Sequence, residues 1–159
     1  MADRDLTLPV GGGKLNIRVG AIILRDGQLL MVDPGGLNYL FTVGGRVQFG
    51  ESTEEAVVRE VFEETGVRME IDRLGFVHEA FFPGASPEKR GFQIQEFCFF
   101  YYMKVPQGFS PRSERFADSG PEMRLRWIPV DSEARYYPEF FRTELAHPSP
   151  EIRHIVTRE

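Results

Sequence analysis

Glu60, Glu63 and Glu64 place three carboxylates within five residues, inside the stretch GRVQFGESTEEAVVREVFEETGV from Gly45 to Val67. Ser52 with Glu55 three residues on is a capping box, which predicts a helix starting there. Gly66 suits the left-handed residue that closes such a helix. Val57, Val58, Val61 and Phe62 recur at helical spacing and predict one buried stripe. At about 100° per residue, the three glutamates fall within an arc of roughly 100° beside that stripe. No lysine or arginine shares the arc, so like charges repel there by a few tenths of a kcal/mol per pair. Three oxygen-rich side chains converging on one spot are what a hard divalent cation such as Mg2+ requires. The alternative is a solvated acidic face, which is the better reading of an E-x-x-E-E in isolation.

The surrounding residues favour the metal site. Gly45-x5-Glu51-x7-Arg59-Glu60-Val61-x-Glu63-Glu64-x-Gly66-Val67 resembles the Nudix box at each of its specified positions. Seven specified identities at about 7% each make a chance match roughly 10⁻⁸ per starting position. The resemblance implies a Nudix hydrolase, which cleaves a nucleoside diphosphate linked to another moiety using Mg2+ or Mn2+. It implies that Glu60, Glu63 and Glu64 are metal ligands, with Gly45 counted among the metal-site residues because it shapes the loop leading into the helix. It implies catalytic support from Glu51 and Arg59, the latter holding carboxylates in place. The fold it implies is α/β, a Nudix-type α/β/α sandwich with a mixed central β-sheet. One departure is Val43, where many members carry proline before the double glycine.

Around this centre the candidates are individual residues. Arg18, Arg46, Lys89 and Arg90 could each meet a substrate phosphate, the alternative being surface charge; Arg46 is the best placed because it lies inside the box. Glu96 sits in the most hydrophobic strand, where a carboxylate is costly unless paired or bound to a cation. It is either a site residue or on a face open to solvent. Glu114 and Glu122 are candidates for a general base supplied from outside the box. Phe81, Phe82 and Tyr39 could stack on a base, though strand aromatics are usually core. His78, His147 and His154 show no ligand spacing and read as structural.

The elements that must position these groups follow from patterning. Residues 1–13 read as a loose arm and Lys14–Leu24 as a strand. Asp26-Gly27 is a hairpin turn into Gln28–Val32, and Tyr39–Val43 is a short strand feeding a Gly44-Gly45 loop. Beyond the helix, Val67–Ile71, Leu74–Phe82, Phe92–Val105 and Met123–Val130 are β-like, and Pro138–Ala146 can make a closing helix.

The 159 residues suit a single domain. A net charge of −5 argues against nucleic acid or an anionic membrane as the main partner, so no DNA binding is expected. The lone Cys98 excludes an intramolecular disulfide and reads as a buried thiol. With no signal peptide and no apolar run of membrane-spanning length, the expectation is a cytoplasmic protein with no membrane partner. A homodimer is compatible with the sequence. The partner expected is a small-molecule nucleoside diphosphate derivative: a nucleotide sugar, ADP-ribose, a dinucleotide, an oxidised nucleotide or a capped RNA. The alternatives are a catalytically silent Nudix-fold nucleotide-binding or sensor module, and an isomerase on the same fold acting on a small diphosphate.

Overall fold

The computed structural model describes residues 4–84, 91–111 and 123–159. The helix after Ser52 forms as α1, Thr53–Thr65. Ser52 Oγ accepts the Glu55 N–H at 3.1 Å and the Glu55 carboxylate accepts the Ser52 N–H at 2.8 Å. Gly66 donates its N–H to the Phe62 carbonyl and ends the helix in the left-handed conformation. The buried side is Ala56, Val57, Val61 and Thr65. Phe62, expected in that stripe, is instead 44% exposed. The row at spacing four, Val57-Val61-Thr65, sets the inward direction, and Phe62 stands about 100° round from Val61. Thr65 tolerates burial because its hydroxyl donates to the Val61 carbonyl at 2.6 Å.

The strands are β1 (Thr7–Val10), β2 (Gly13–Ile22), β3 (Leu24–Arg25), β4 (Gln28–Asp33), β5 (Leu40–Arg46), β6 (Glu70–Pro83), β7 (Gln93–Lys104), β8 (Arg124–Pro129), β9 (Tyr136–Tyr137) and β10 (Arg153–Arg158). They form one sheet in the order β10-β6-β7-β2-β5-β4-β3, with β1 on β2, β8 on β4 and β9 on β5. The pairs β10/β6, β2/β7 and β5/β9 are parallel and the others antiparallel, so the sheet is mixed.

Alternation along each strand divides the core between two faces. Val19, Ala21, Leu30 and Val32 pack with α1 on one face. Ile22, Leu29 and Met31 pack on the other with Phe141 and Leu145, at the short helix α2 (Phe141–Glu144). Covering both faces explains why Ala21–Leu24 and Leu29–Val32 read as continuous apolar runs rather than alternating ones. The result is the expected α/β/α sandwich. Between β3 and β4, Asp26 and Gly27 both adopt positive φ, as a two-residue hairpin turn of this hand demands.

Several expectations need correction. The loose arm does not run to residue 13: Thr7–Val10 pairs with β2, Leu6 donates its N–H to the Val47 carbonyl, and its own carbonyl accepts from Ile17. Gly44-Gly45 is not a loop but the end of β5, with Gly44 opposite Gly20 and Gly45 opposite Val19. At Gly44 a Cβ would come within 2.2 Å of the Val19 carbonyl oxygen, which explains the glycine. The two β-like stretches after the helix are one strand, β6, irregular at Ile71/Arg73 and Leu74/Phe76. The closing helix shrinks to a single turn, too short to hold itself. Phe141 anchors it by ring contacts to Phe76 and Phe100, at centroid distances of 5.9 and 5.1 Å. Strand β10 had no sequence signal because it is an edge strand with mostly exposed side chains.

Where β10 crosses β6, His78 is buried, sharing a 2.9 Å hydrogen bond with Thr157 Oγ1 and meeting the Phe140 ring at 4.9 Å. Burial pushes its pKa down to about 4 from 6.5. The unfolded chain therefore takes up this proton first as pH falls, and stability is lost between pH 6.5 and 4. In denaturant titrations, His78→Gln should be about 1–3 kcal/mol less acid-sensitive than wild type over that window. Equal slopes would show that His78 is not held neutral.

Candidate active site

Arg59 organises the C-terminal half of α1. Its Nη2 and Nε grip Glu51 at 2.6 and 3.0 Å, a two-pronged pair. Nη1 reaches Glu60 at 2.9 Å and Glu63 at 3.3 Å, while Nη2 also donates to the Arg46 carbonyl at 3.1 Å. The hydrogen bond from Arg59 holds the Glu51 carboxyl below the usual range, and Glu51 in turn raises the Arg59 pKa. Glu51 also accepts the Gln48 N–H at 2.8 Å, so it ties the segment between β5 and α1 to the helix. Arg46 and Asp5 approach only to 3.8 Å.

Glu60 and Glu64, four residues apart, face the end of β5. Glu64 accepts the Gly44 N–H at 3.0 Å. A Cβ on Gly45 would lie 2.4 Å from Glu60 Oε1, so glycine is what lets the bare strand meet this carboxylate. Burial pushes Glu60 up to about 7, with the Arg59 charge opposing. Burial and then repulsion from Glu60 push Glu64 up to about 8, with the Gly44 N–H opposing. Glu63 is different, with its side chain 54% exposed. Among the described residues no three acidic, histidine or cysteine side chains already stand together as a ligand set. Arg59 holds Glu60 and Glu63 while the Gly44 N–H holds Glu64, so the convergence expected of the three is incomplete.

This donor set fits a hard cation. The last turn of α1 contains no basic residue, and its negative dipole end already disfavours carboxylates. Among the described residues Glu64 has only a backbone N–H as its hydrogen-bond partner, and Glu60 only one branch of a guanidinium shared with two other carboxylates. Largely buried carboxylates so weakly compensated suit oxygen-seeking Mg2+ or Mn2+.

A cavity of about 560 Å³ opens on the sheet face opposite α1, with Gly44 and Arg18 on its rim. Gly44, Ala80 and Cys98 contribute little bulk to its lining, and its aromatic surface comes from Tyr39, Phe82, Phe100 and Tyr137. Of the three aromatics singled out for stacking, Tyr39 and Phe82 present their rings to it, whereas Phe81 alternates to the other face of β6, where the Arg158 guanidinium covers its ring at 4.0 Å. Arg18 has no hydrogen-bond or ion-pair partner among the described residues, and its charge draws Glu60 and Glu64 back down. Glu96 also lines the cavity and accepts Asn16 Nδ2–H at 2.9 Å. Burial pushes the Cys98 thiol up to about 12, leaving it inert. Arg90, Lys89, Glu114 and Glu122 lie outside the described residues. His154 pairs with Glu79 at 2.5 Å, away from this region.

Several groups were invisible to sequence reasoning. The N–H of Gly44 became a partner of Glu64 only because β5 ends against α1. Asn16 could have been suspected as a polar residue two positions before Arg18, since the period of a strand puts both on one face. Thr157 and Glu159, which also line the cavity, belong to or follow an edge strand with no signal. Among the described residues no helix is long and apolar enough to cross a membrane.

A family model described as NUDIX domain matches residues 14–147. The chain is 37% identical over 60 residues to a MutT-like protein of Streptomyces ambofaciens, a match covering 38% of this chain and 39% of that protein. The chain thus spans about two fifths of the length of this relative. Among solved structures, the mMutator MutT protein of Bacillus halodurans superposes with a TM-score of 0.59 at 19% identity, covering 90% of this chain and 89% of that one. The ORF135 protein of E. coli gives 0.56 at 21% identity, covering 90% and 99%. At these identities the superpositions speak to the fold alone.

Proposed function

Because the chain belongs to the Nudix family, whose domain model spans most of it, we propose that it hydrolyses the diphosphate linkage of a nucleoside diphosphate derivative with the help of Mg2+ or Mn2+. One observation carries the proposal. The Glu60–Glu64 pair meets the Gly44-Gly45 strand end at the rim of an aromatic cavity, so a diphosphate lying across that strand end would have carboxylates on one side and stacking surface on the other.

Glu60, Glu63 and Glu64 would hold the cation beside Gly45. When bound, it would mask phosphate charge and make a water more nucleophilic. Arg59 is a positioning residue, hydrogen-bonding Glu60 and Glu63 while gripping Glu51 with its other branch. Arg18, lacking a partner among the described residues, is the cation free to meet a substrate phosphate; Arg46 is second choice because Asp5 stands near it. In the displacement, water oxygen bonds to phosphorus as the bridging P–O bond breaks. The water proton passes to a carboxylate of the box, and the bridging oxygen leaves with the electron pair on the departing phosphate.

A panel of nucleoside diphosphate derivatives incubated with Mg2+ tests this directly. The expected result is release of a nucleoside monophosphate that stops in excess chelator and resumes with added metal. Thermal stability should rise with Mg2+ or Mn2+, since binding at about 100 times Kd to the folded state alone adds about 2.7 kcal/mol. Hydrolysis continuing with metal shown to be absent would overturn the proposal. A rise in Tm without turnover of any compound would instead indicate a sensor module.

A further inference from the structure

Glu96 is held in place from behind. Asn16, 2% exposed, donates from Nδ2 to Glu96 Oε1 at 2.9 Å, and its own Oδ1 accepts the Thr7 hydroxyl at 3.0 Å. This relay fixes the Asn16 amide so that its N–H side faces the carboxylate. The three residues come from three neighbouring strands: Thr7 on β1 pairs with Asn16 on β2, which pairs with Glu96 on β7. Oε1 is thereby engaged, and among the described residues no protein donor to Oε2 accompanies it in the cavity. Across the sheet Glu96 stands opposite Ala80, whose small side chain leaves the space in front of it open.

Position along the strand adds a direction. Arg18 is opposite Cys98, and Glu96 lies two residues further along the same face. Two residues of extended strand are about 6–7 Å. Arg18 is at the phosphate end, close enough to influence Glu60 and Glu64, and Glu96 is further along, beside Phe82 and Ile94 on the same face. A carboxylate can only accept hydrogen bonds. A slot with the Phe82 ring beside a fixed acceptor selects a flat ring whose edge donates.

We infer that Glu96, clamped by Asn16, is the specificity-determining residue that reads the base of the substrate, favouring bases with an exocyclic amine over uracil. Adenine, cytosine and guanine can each turn an amine N–H toward Oε2. Uracil offers one N–H flanked by two carbonyl oxygens, which would face the carboxylate and be repelled. This inference rests on the proposal that the substrate is a nucleoside derivative, and a site built this way discriminates strongly because a mismatched edge leaves polar groups unpaired.

The test is binding rather than turnover, using AMP, CMP, GMP and UMP titrated calorimetrically into wild type and Glu96→Gln. Wild type should bind at least one amino-base nucleotide tenfold or more tighter than UMP. Glutamine keeps an oxygen for Asn16 but presents an N–H2 to the cavity, so the preference should shrink to threefold or less, or reverse toward UMP. Asn16→Ala, which frees the carboxylate without removing it, should reduce the preference in the same direction. Four nucleotides binding wild type within threefold, no measurable binding at millimolar concentration, or Glu96→Gln weakening all four equally would each overturn the inference. If Glu96→Gln melts well below wild type, the wild-type preference and the Asn16→Ala variant decide. Mg2+-dependent turnover without base preference sinks this inference alone, whereas base preference without turnover sinks the hydrolase proposal and leaves it standing.

Discussion

Glu64→Gln is expected to lower kcat/KM about a hundredfold or more while leaving the metal-free protein as stable as wild type or slightly more so. Glutamine keeps the size and helix propensity and can still accept the Gly44 N–H. What it removes is a charged oxygen that would ligate the cation. Loss of such a group costs several kcal/mol of transition-state stabilisation, and each ~1.4 kcal/mol is about tenfold in rate. The stability side has a definite sign. Burial raises the Glu64 pKa to about 8, above 4.5 for a free glutamate. A raised folded pKa means that its contribution is intact below pH 4.5 and is lost as pH rises through 8. The variant carries no such group, so its advantage without metal should widen across that window. Glu55→Gln is the control: Glu55 belongs to the helix cap, where a neutral amide oxygen can still accept the Ser52 N–H, and the rate should change little. Steady-state kinetics with denaturant titration of both variants checks the prediction. Equal losses of activity, or a destabilised Glu64→Gln, would make the acidic face structural.

Arg59→Lys should fail differently, losing stability and activity together. The guanidinium makes five hydrogen bonds, to Glu51, Glu60, Glu63 and the Arg46 carbonyl. A lysine ammonium cannot reproduce that planar fork. Glu51 would lose its two-pronged partner in a half-buried place, for about 2–3 kcal/mol of stability by typical charged-bond values. Because Arg59 holds the Glu51 carboxyl low, this difference should be present above about pH 4.5 and fade as acid protonates Glu51. Misaimed Glu60 and Glu63 should lower kcat about tenfold or more, in the manner of ligands left without their outer support. Denaturant midpoints and kcat measured on one preparation separate the outcomes. Normal stability with lost activity would move Arg59 from positioning residue to direct substrate contact.

The contrast between these variants follows what was legible in the chain. Sequence alone determined α1 and its ends, because a capping box and a left-handed glycine act within a few residues of themselves. It also determined the hairpin turn, where Asp26-Gly27 carries its own conformational preference, and the spacing of Glu60, Glu63 and Glu64, because helical period is local. The inward face of α1 was read less well: Phe62 is as apolar as its neighbours, and only the sheet beneath decides which side of the helix is covered. Gly44-Gly45 looked like a loop because glycine is permissive, but pairing with Val19 and Gly20 makes it strand. Tertiary structure alone decided that Glu64 meets the Gly44 N–H, that burial lifts Glu60 and Glu64, and that Glu96 faces an aromatic cavity rather than solvent. It also decided that β10, whose side chains are mostly exposed, completes the edge of that cavity. These outcomes depend on groups such as Thr7, Asn16 and Glu96, up to 80 residues apart in a single hydrogen bond. Burial and long-range hydrogen bonds are properties of the neighbours that folding supplies, and no residue type or local spacing encodes them.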